Sequence, residues 1–305
     1  MRYFIGIDGG GTKTHLKAVS AERRLLGEAF GGASNLAATP EKDVENNLTV
    51  LLQNFLRQAG LSPAECGGLC LGTAGAGSKS VRERLERILR TIAPTDKILV
   101  TDDALPALYG GTLSGYGVIL ISGTGSICLA RSEKKTARTG GWGHILGDEG
   151  SGYAISISML NAVMRAFDGR GPETRLTPLV LRHLNLPSPE LIIDSVYHTG
   201  KGKSDLASLA FLCDIAYDNG DSIAKKIIEH AAEALSAMAL AAEARADFQC
   251  GNKAIPCVYA GGTLCGSAPL RTELEGCLFR SGTRLRLCEC REDAAFGCAL
   301  IASSI

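Results

Sequence analysis

Asp8 is followed by Gly9-Gly10-Gly11 and then Thr12-Lys13-Thr14. In such a run, backbone N–H groups stand unobstructed beside two hydroxyls and an ammonium, a donor set suited to phosphate oxygens. Asp8, at the head of the run, could hold Mg2+ through water. A triple glycine alone is also an ordinary hairpin turn, but the device recurs as Ser122-Gly123-Thr124-Gly125-Ser126 and in shorter form as Gly261-Gly262-Thr263. Two hydroxyl-bearing glycine turns would clamp a polyphosphate from both sides.

Transfer of a phosphoryl group to an alcohol also needs an acceptor for the hydroxyl proton and a way to exclude water. Val100-Thr101-Asp102-Asp103-Ala104 offers two carboxylates at the end of an apolar run. Both positions equally suit the start of a helix, where acidic residues cap or meet the dipole. Asn35, in Gly31-Gly32-Ala33-Ser34-Asn35, reads by itself as a turn residue. Trp142, the one tryptophan, lies between Gly141 and Gly143 and is either a stacking platform or a packed aromatic. Asp148-Glu149 alone reads as an acidic helix start. The five histidines form no constellation, and no nucleophile elbow, zinc-protease motif or P-loop is present.

The elements that must position these groups follow from periodicity. Residues 2–8, 15–20 and 25–30 read as an antiparallel meander opening on the first glycine turn. Helical spacing over 41–58 (Val44, Leu48, Leu51, Leu52, Phe55), a buried-strand run at 66–71, helical spacing again over 81–92 and a strand at 98–101 complete a mixed sheet with helices on it. A second apolar strand at 117–122, a glycine turn and a returning strand at 127–131 then start the pattern again, as expected of two related lobes. A helix capped by Asp148 or Ser151 is expected to run to about 167, followed by an irregular insertion over 169–202 and long helices over 205–217 and 221–245. Residues 255–260 and 284–288 read as strands and 293–305 as an apolar helix.

Composition sets outer limits. With 32 basic and 32 acidic residues the formal charge is zero, so no long-range field favours nucleic acid or an acidic membrane. No apolar stretch reaches the roughly 20 residues of a membrane helix. The eleven cysteines are scattered through apolar runs, and Met1 leads straight into a strand. That pattern points to free thiols, a cytoplasmic protein and a small-molecule partner.

Four segments carry a resemblance. Ile5-Gly6-Ile7-Asp8-Gly9-Gly10-Gly11-Thr12-Lys13-Thr14, Ile121-Ser122-Gly123-Thr124-Gly125-Ser126 and Ala260-Gly261-Gly262-Thr263 resemble, in order and spacing, the phosphate and adenosine motifs of the actin-like ATPases. Gly140-Gly141-Trp142-Gly143-His144-Ile145-Leu146-Gly147-Asp148-Glu149-Gly150-Ser151 resembles the signature of N-acetylglucosamine kinases and of the related activator-type ATPases of acyl-CoA dehydratases and reductases.

The resemblance implies an α/β fold of two ribonuclease-H-like lobes, each a mixed five-stranded sheet with helices, around a central cleft. The lobes would span 1–113, with 292–305 packing back on the first, and 114–291. It implies ATP and Mg2+ as cofactors and an amino or acetamido sugar phosphorylated at its 6-OH, in a homodimer. Gly9, Gly10, Gly11, Thr12, Lys13, Thr14, Gly123, Thr124, Gly125, Ala207, Gly261, Gly262 and Thr263 would bind nucleotide, with Asp8 on the metal. Asn35, Asp102, Ser126, Gly141, Trp142, Gly143 and Asp148 would bind sugar, with Asp102 as base. Ile127 stands where animal N-acetylglucosamine kinases carry a polar residue near the sugar. An activator ATPase would need cysteines placed for an iron–sulfur cluster, and the signature loop has none; a sensor lacking sugar chemistry would have no use for Asp102 and Asp148.

Overall fold

The computed structural model describes every residue except Thr199, Lys201 and Cys250; the first two fall within the 169–202 stretch and the third is one of the eleven cysteines. The chain forms two compact units, Met1–Gly117 with Glu289–Ile305, and Val118–Cys288.

In the first unit, β1 (Tyr3–Gly9), β2 (Thr14–Ser20) and β3 (Leu25–Gly31) form the meander, followed by α1 (Glu41–Ala59), β4 (Cys66–Thr73), α2 (Lys79–Ile92), β5 (Ile98–Thr101) and α3 (Ala104–Thr112). The sheet order is β3-β2-β1-β4-β5, with β1 antiparallel to β2 and parallel to β4. Strand β4 is buried along its whole length and β1 almost so, as strands covered on both faces must be. One face packs on Val44, Leu48, Leu52 and Phe55 of α1 and Leu85 and Leu89 of α2.

The second unit repeats the order: β6 (Gly117–Ser122), β7 (Ser126–Arg131), β8 (Thr136–Gly140), α4 (Gly152–Phe167), α5 (Leu176–Leu184), α6 (Ile192–Tyr197), α7 (Lys203–Ala207), α8 (Phe211–Asp218), α9 (Ser222–Ala246), β9 (Ile255–Ala260), α10 (Gly262–Gly266), α11 (Ala268–Arg280) and β10 (Leu285–Glu289). Read from the other edge, the sheet runs β8-β7-β6-β9-β10, the same permutation as in the first unit. Alanines 224, 231, 232, 239, 242 and 246 of α9 are buried, where small side chains let the helix lie close against its neighbours.

The last helix, α12 (Ala294–Ala302), belongs to the first unit and is buried at every position from Ala295 onward. It covers the face of the sheet opposite α1, packing on Phe4, Val19 and Cys70. A Cβ at Gly6 would stand 2.2 Å from the Ala299 nitrogen, and one at Gly297 would stand 1.9 Å from the Pro106 carbonyl oxygen. Only glycine lets β1, α12 and α3 approach this closely.

Three expectations need correction. The 169–202 stretch is largely helical: Leu176 and Val180, one turn apart, and Ile192 are buried in α5 and α6. Its prolines sit before or in first turns, where their missing N–H costs nothing. The helix expected over 205–217 breaks at a 3-10 turn, Ser208–Ala210, which rotates the apolar face so that Leu206, Leu209 and Leu212 are all buried. Strand β8 has no counterpart in the sequence pattern, because Thr136-Ala137-Arg138-Thr139-Gly140 is short and polar. Between the two proposed caps of α4, Ser151 is the one used, its hydroxyl accepting from the Ala154 N–H. The ten described cysteines are free thiols.

Candidate active site

The second unit holds a cavity of about 350 Å3 beside the second and third glycine segments, lined among others by Gly123, Thr124, Ala207, Phe211, Gly262 and Thr263. Its size suits a small-molecule site. The hairpin between β6 and β7 is closed by the Gly123 N–H donating to the Gly125 carbonyl (2.9 Å). The Gly123 carbonyl then accepts from the Gly152 N–H at the head of α4 (2.8 Å) and from the Thr263 hydroxyl (3.0 Å). Gly261 reaches this junction at φ +90°, where a Cβ would stand 2.4 Å from the Ser122 carbonyl oxygen. Asp214, the single ionisable group among the described lining residues, has its carboxyl raised by burial while it accepts from the Ser267 hydroxyl (2.7 Å).

The signature loop leaves β8 through Gly140, Gly141 and Gly143, all at positive φ. The Gly141 N–H donates to the Ser126 carbonyl (2.9 Å), and Ile127 packs beside Gly141 closely enough that a Cβ there would meet Ile127 Cδ1 at 2.9 Å. Trp142 is 65% exposed, so it is not a core aromatic. The Arg138 guanidinium lies over its ring at 5.1 Å, a cation–π contact. Asp148 is the opposite case: 4% exposed, at φ +62°. Its Oδ1 accepts from the Ser126 N–H (3.1 Å) and its Oδ2 lies 2.5 Å from Lys203 Nζ. The Ser126 hydroxyl donates to the Glu149 carbonyl (2.7 Å). Ser126, Gly141 and Asp148 are therefore one hydrogen-bonded cluster.

In the first unit, Gly10 N–H donates to the Lys13 carbonyl (2.9 Å), closing the first turn. Thr12 and Lys13 are exposed, the Lys13 ammonium lying 5.9 Å over the Phe30 ring. Thr14 points inward; its hydroxyl donates to the Gly32 carbonyl (2.6 Å) and lies 2.7 Å from the Ser34 hydroxyl. The N–H groups of Ser34 and Asn35 donate to the Gly10 carbonyl (3.1 and 3.3 Å), so the loop bearing Asn35 hangs on the glycine turn. Asn35 Oδ1 accepts from the Ala37 N–H (2.9 Å), a local turn contact.

Asp8 is half-buried near the end of β1, and its carboxyl is pushed up to about 6 by desolvation first, then by the Asp103 and Asp293 carboxylates, with His15 and Lys13 pulling the other way. A partly desolvated carboxylate in the field of two others is chemistry that a hard cation relieves, so the residues present fit Mg2+. Asp102, rather than Asp103, meets the head of α3: its Oδ1 accepts from the N–H groups of Ala104 and Leu105 (3.1 Å each).

Sequence reasoning missed Lys203 and Asp214. Lys203 reaches Asp148 across 55 residues of chain, and no local pattern signals such a pair; Asp214 becomes visible only once α8 is known to line the cavity.

Paired five-stranded sheets of this order, each carrying a glycine hairpin after its central strand, define the actin-like ATPase fold. The sequence profile of the BadF/BadG/BcrA/BcrD ATPase family matches residues 5–281, and the chain belongs to that family. It is 39% identical over 305 residues to the N-acetylmuramic acid/N-acetylglucosamine kinase of Clostridium acetobutylicum, across 100% of this chain and 99% of that protein. It is 30% identical over 312 residues to the N-acetyl-D-glucosamine kinase of Dictyostelium discoideum, across 98% and 97%. The crystal structure of a Chromobacterium violaceum protein described as a candidate N-acetylglucosamine kinase superposes with a TM-score of 0.76 at 27% identity, covering 99% of this chain and 98% of that one.

Proposed function

We propose that the chain is an ATP-dependent kinase that phosphorylates the 6-OH of an amino or acetamido sugar: N-acetylglucosamine, glucosamine or N-acetylmuramic acid. The observation that carries this reading is the junction at the Gly123 carbonyl. It ties the second glycine turn, the head of α4 and Thr263 to the rim of one cavity, while the adjoining turn residue Ser126 holds the Asp148 carboxylate.

In this reading Gly123, Thr124, Gly125, Ala207, Gly261, Gly262 and Thr263 bind the nucleotide, together with Gly9, Gly10, Gly11, Thr12, Lys13 and the backbone of Thr14. Asp8 holds Mg2+ through water. The ion, when bound, neutralises charge on the β- and γ-phosphate oxygens. Asn35, Ser126, Gly141, Trp142, Gly143 and Asp148 hold the sugar. Asp102, its Oδ1 fixed by two amides of α3, presents Oδ2 to the sugar hydroxyl and takes its proton. The hydroxyl oxygen forms the new bond to the γ-phosphorus as the bond from that phosphorus to the β,γ-bridging oxygen breaks, and ADP leaves with the electron pair. We place the protein in the cytoplasm, where free thiols persist, as a homodimer.

The test is ADP release from Mg·ATP across glucosamine, N-acetylglucosamine, N-acetylmuramic acid, N-acetylmannosamine and glucose, with NMR of the product and an iron assay on the protein. One sugar phosphorylated mole for mole at O6, without iron, supports the reading. Sugar-independent hydrolysis with bound iron overturns it in favour of an activator ATPase, and sedimentation checks the dimer.

A further inference from the structure

Two features of the second unit remain unexplained by nucleotide or sugar contacts alone. Asp148 is buried at a left-handed backbone position that non-glycine residues seldom adopt, and a lysine from a distant helix is spent on it. Lys203 is the first residue of α7, whose start is fixed by the Gly202 N–H donating to Asp205 Oδ2 (2.8 Å). The groups that face its ammonium are the Asp148 carboxylate at 2.5 Å and the Tyr153 ring at 6.0 Å. Within the next turn and a half the same short segment puts Ser204, Ala207 and Ser208 on the wall of the cavity, and the Ala207 carbonyl oxygen lies 3.0 Å from where a Cβ of Gly152 would be. One end of α7 therefore holds the carboxylate of the signature loop and the other borders the cavity.

We propose that Lys203 is a positioning residue: it holds Asp148 in the orientation that receives a sugar hydroxyl, and it ties that hold to the presence of nucleotide in the cavity lined by α7. The inference rests on the sugar-kinase reading above. Each carboxylate oxygen has two lone pairs, so Ser126 N–H on Oδ1 and Lys203 on Oδ2 fix the plane of the group and still leave room for a ligand hydroxyl. A carboxylate so fixed has lost its rotational freedom before the sugar arrives, which is how preorganisation raises affinity. A nucleotide that presses on Ala207 and Ser208 orders α7 and with it the lysine, so the two ligands favour each other's binding reciprocally.

Calorimetric titration tests this, with N-acetylglucosamine and N-acetylmuramic acid as probes, with and without a non-hydrolysable Mg·ATP analogue, on wild type, Lys203→Met and Lys203→Arg. Wild type is expected to bind one sugar at least about fivefold tighter with the analogue present, the low end of ordinary coupling. Lys203→Met should lose about tenfold or more in sugar affinity and nearly all of the coupling, while its affinity for the analogue alone changes by less than about threefold. Lys203→Arg should recover most of both.

Removing the lysine also strands a buried carboxylate, so Lys203→Met with Asp148→Asn serves as a fold control: the double variant should regain the wild-type melting temperature but not the coupling. Unchanged sugar affinity and coupling in Lys203→Met would overturn the proposal while leaving the kinase reading intact, as would coupling restored in the double variant. A wild-type protein that binds neither of these sugars, nor glucosamine titrated in the same way, would overturn both.

Discussion

The two glycine hairpins occupy the same place in the two sheets, and each is closed by a glycine N–H, Gly10 to the Lys13 carbonyl and Gly123 to the Gly125 carbonyl, yet they sit in unlike surroundings. The turn after β1 is ringed by ionisable groups: Asp103, Asp293, His15 and Lys13 all bear on Asp8. The turn after β6 is neutral in sum: the Asp148 carboxylate that its Ser126 N–H meets is paired with Lys203, its Ser122 hydroxyl donates to the Gly150 carbonyl, its Gly123 carbonyl takes an amide and a hydroxyl, and its Ser126 hydroxyl donates to the Glu149 carbonyl. A duplicated scaffold has thus been given two chemistries. In the proposed function the first turn manages cation and proton, and the second grips a ligand through backbone and hydroxyl groups.

The largest effect should come from the charged side. Asp102→Asn is expected to lower kcat by about 10²–10⁴-fold with sugar affinity largely kept, because a base acts in the transition state; steady-state kinetics beside sugar titration checks it, and near-normal turnover would remove Asp102 from its role. On the neutral side, Gly261→Ala should lower stability by about 1–3 kcal/mol for the left-handed backbone alone, and more through its collision with the Ser122 carbonyl. Urea unfolding with and without ATP should show nucleotide protection lost as well.

Asp8 gives a test by pH. Its carboxyl is raised from 3.8 to about 6 on folding, so the folded protein binds more protons than the unfolded chain between those values. Stability should fall as pH rises through that window and stay reduced above it. Asp8→Asn should therefore melt higher than wild type at neutral pH without metal, by up to about 3 kcal/mol, and lose the stabilisation that Mg2+ gives wild type. A wild type insensitive to Mg2+ would break the assignment of cation chemistry to the first turn.

The smallest and sharpest contrast pairs two threonines. Thr14→Val should cost about 1 kcal/mol of stability by leaving the Gly32 carbonyl short of a donor, with KM for ATP unchanged. Thr124→Val, at an exposed position on the cavity wall, should raise KM for ATP with stability unchanged.

The charged side of this comparison was more legible in the sequence than the neutral side. Asp8, Asp102 and the glycine runs announce themselves through spacing, and β1, β4 and β6 through unbroken apolar character. Asp102 nonetheless does what the plainer reading of such a residue expected, accepting from the head of α3, and Asn35 likewise makes the turn contact that its position suggested. Thr14 could not be told from Thr12 by type, since only the packing of the 31–35 loop turns one inward. Strand β8 stayed hidden because an edge strand of threonine and arginine carries no hydrophobic alternation, and α5 because Pro178 within it and Pro172 and Pro187 beside it give the stretch the look of irregular chain. Lys203 stayed hidden because a buried ion pair across distant segments leaves no periodic trace.

The position of α12 also orders events in time. The second unit is one continuous stretch of chain, whereas the sheet of the first unit receives the helix covering one of its faces only after that whole stretch has been made. During synthesis the second unit can close while β1 to β5 wait with Phe4, Val19 and Cys70 uncovered. The first unit therefore completes its core last, and that interval is when the nascent chain offers most apolar surface to aggregation or to a chaperone.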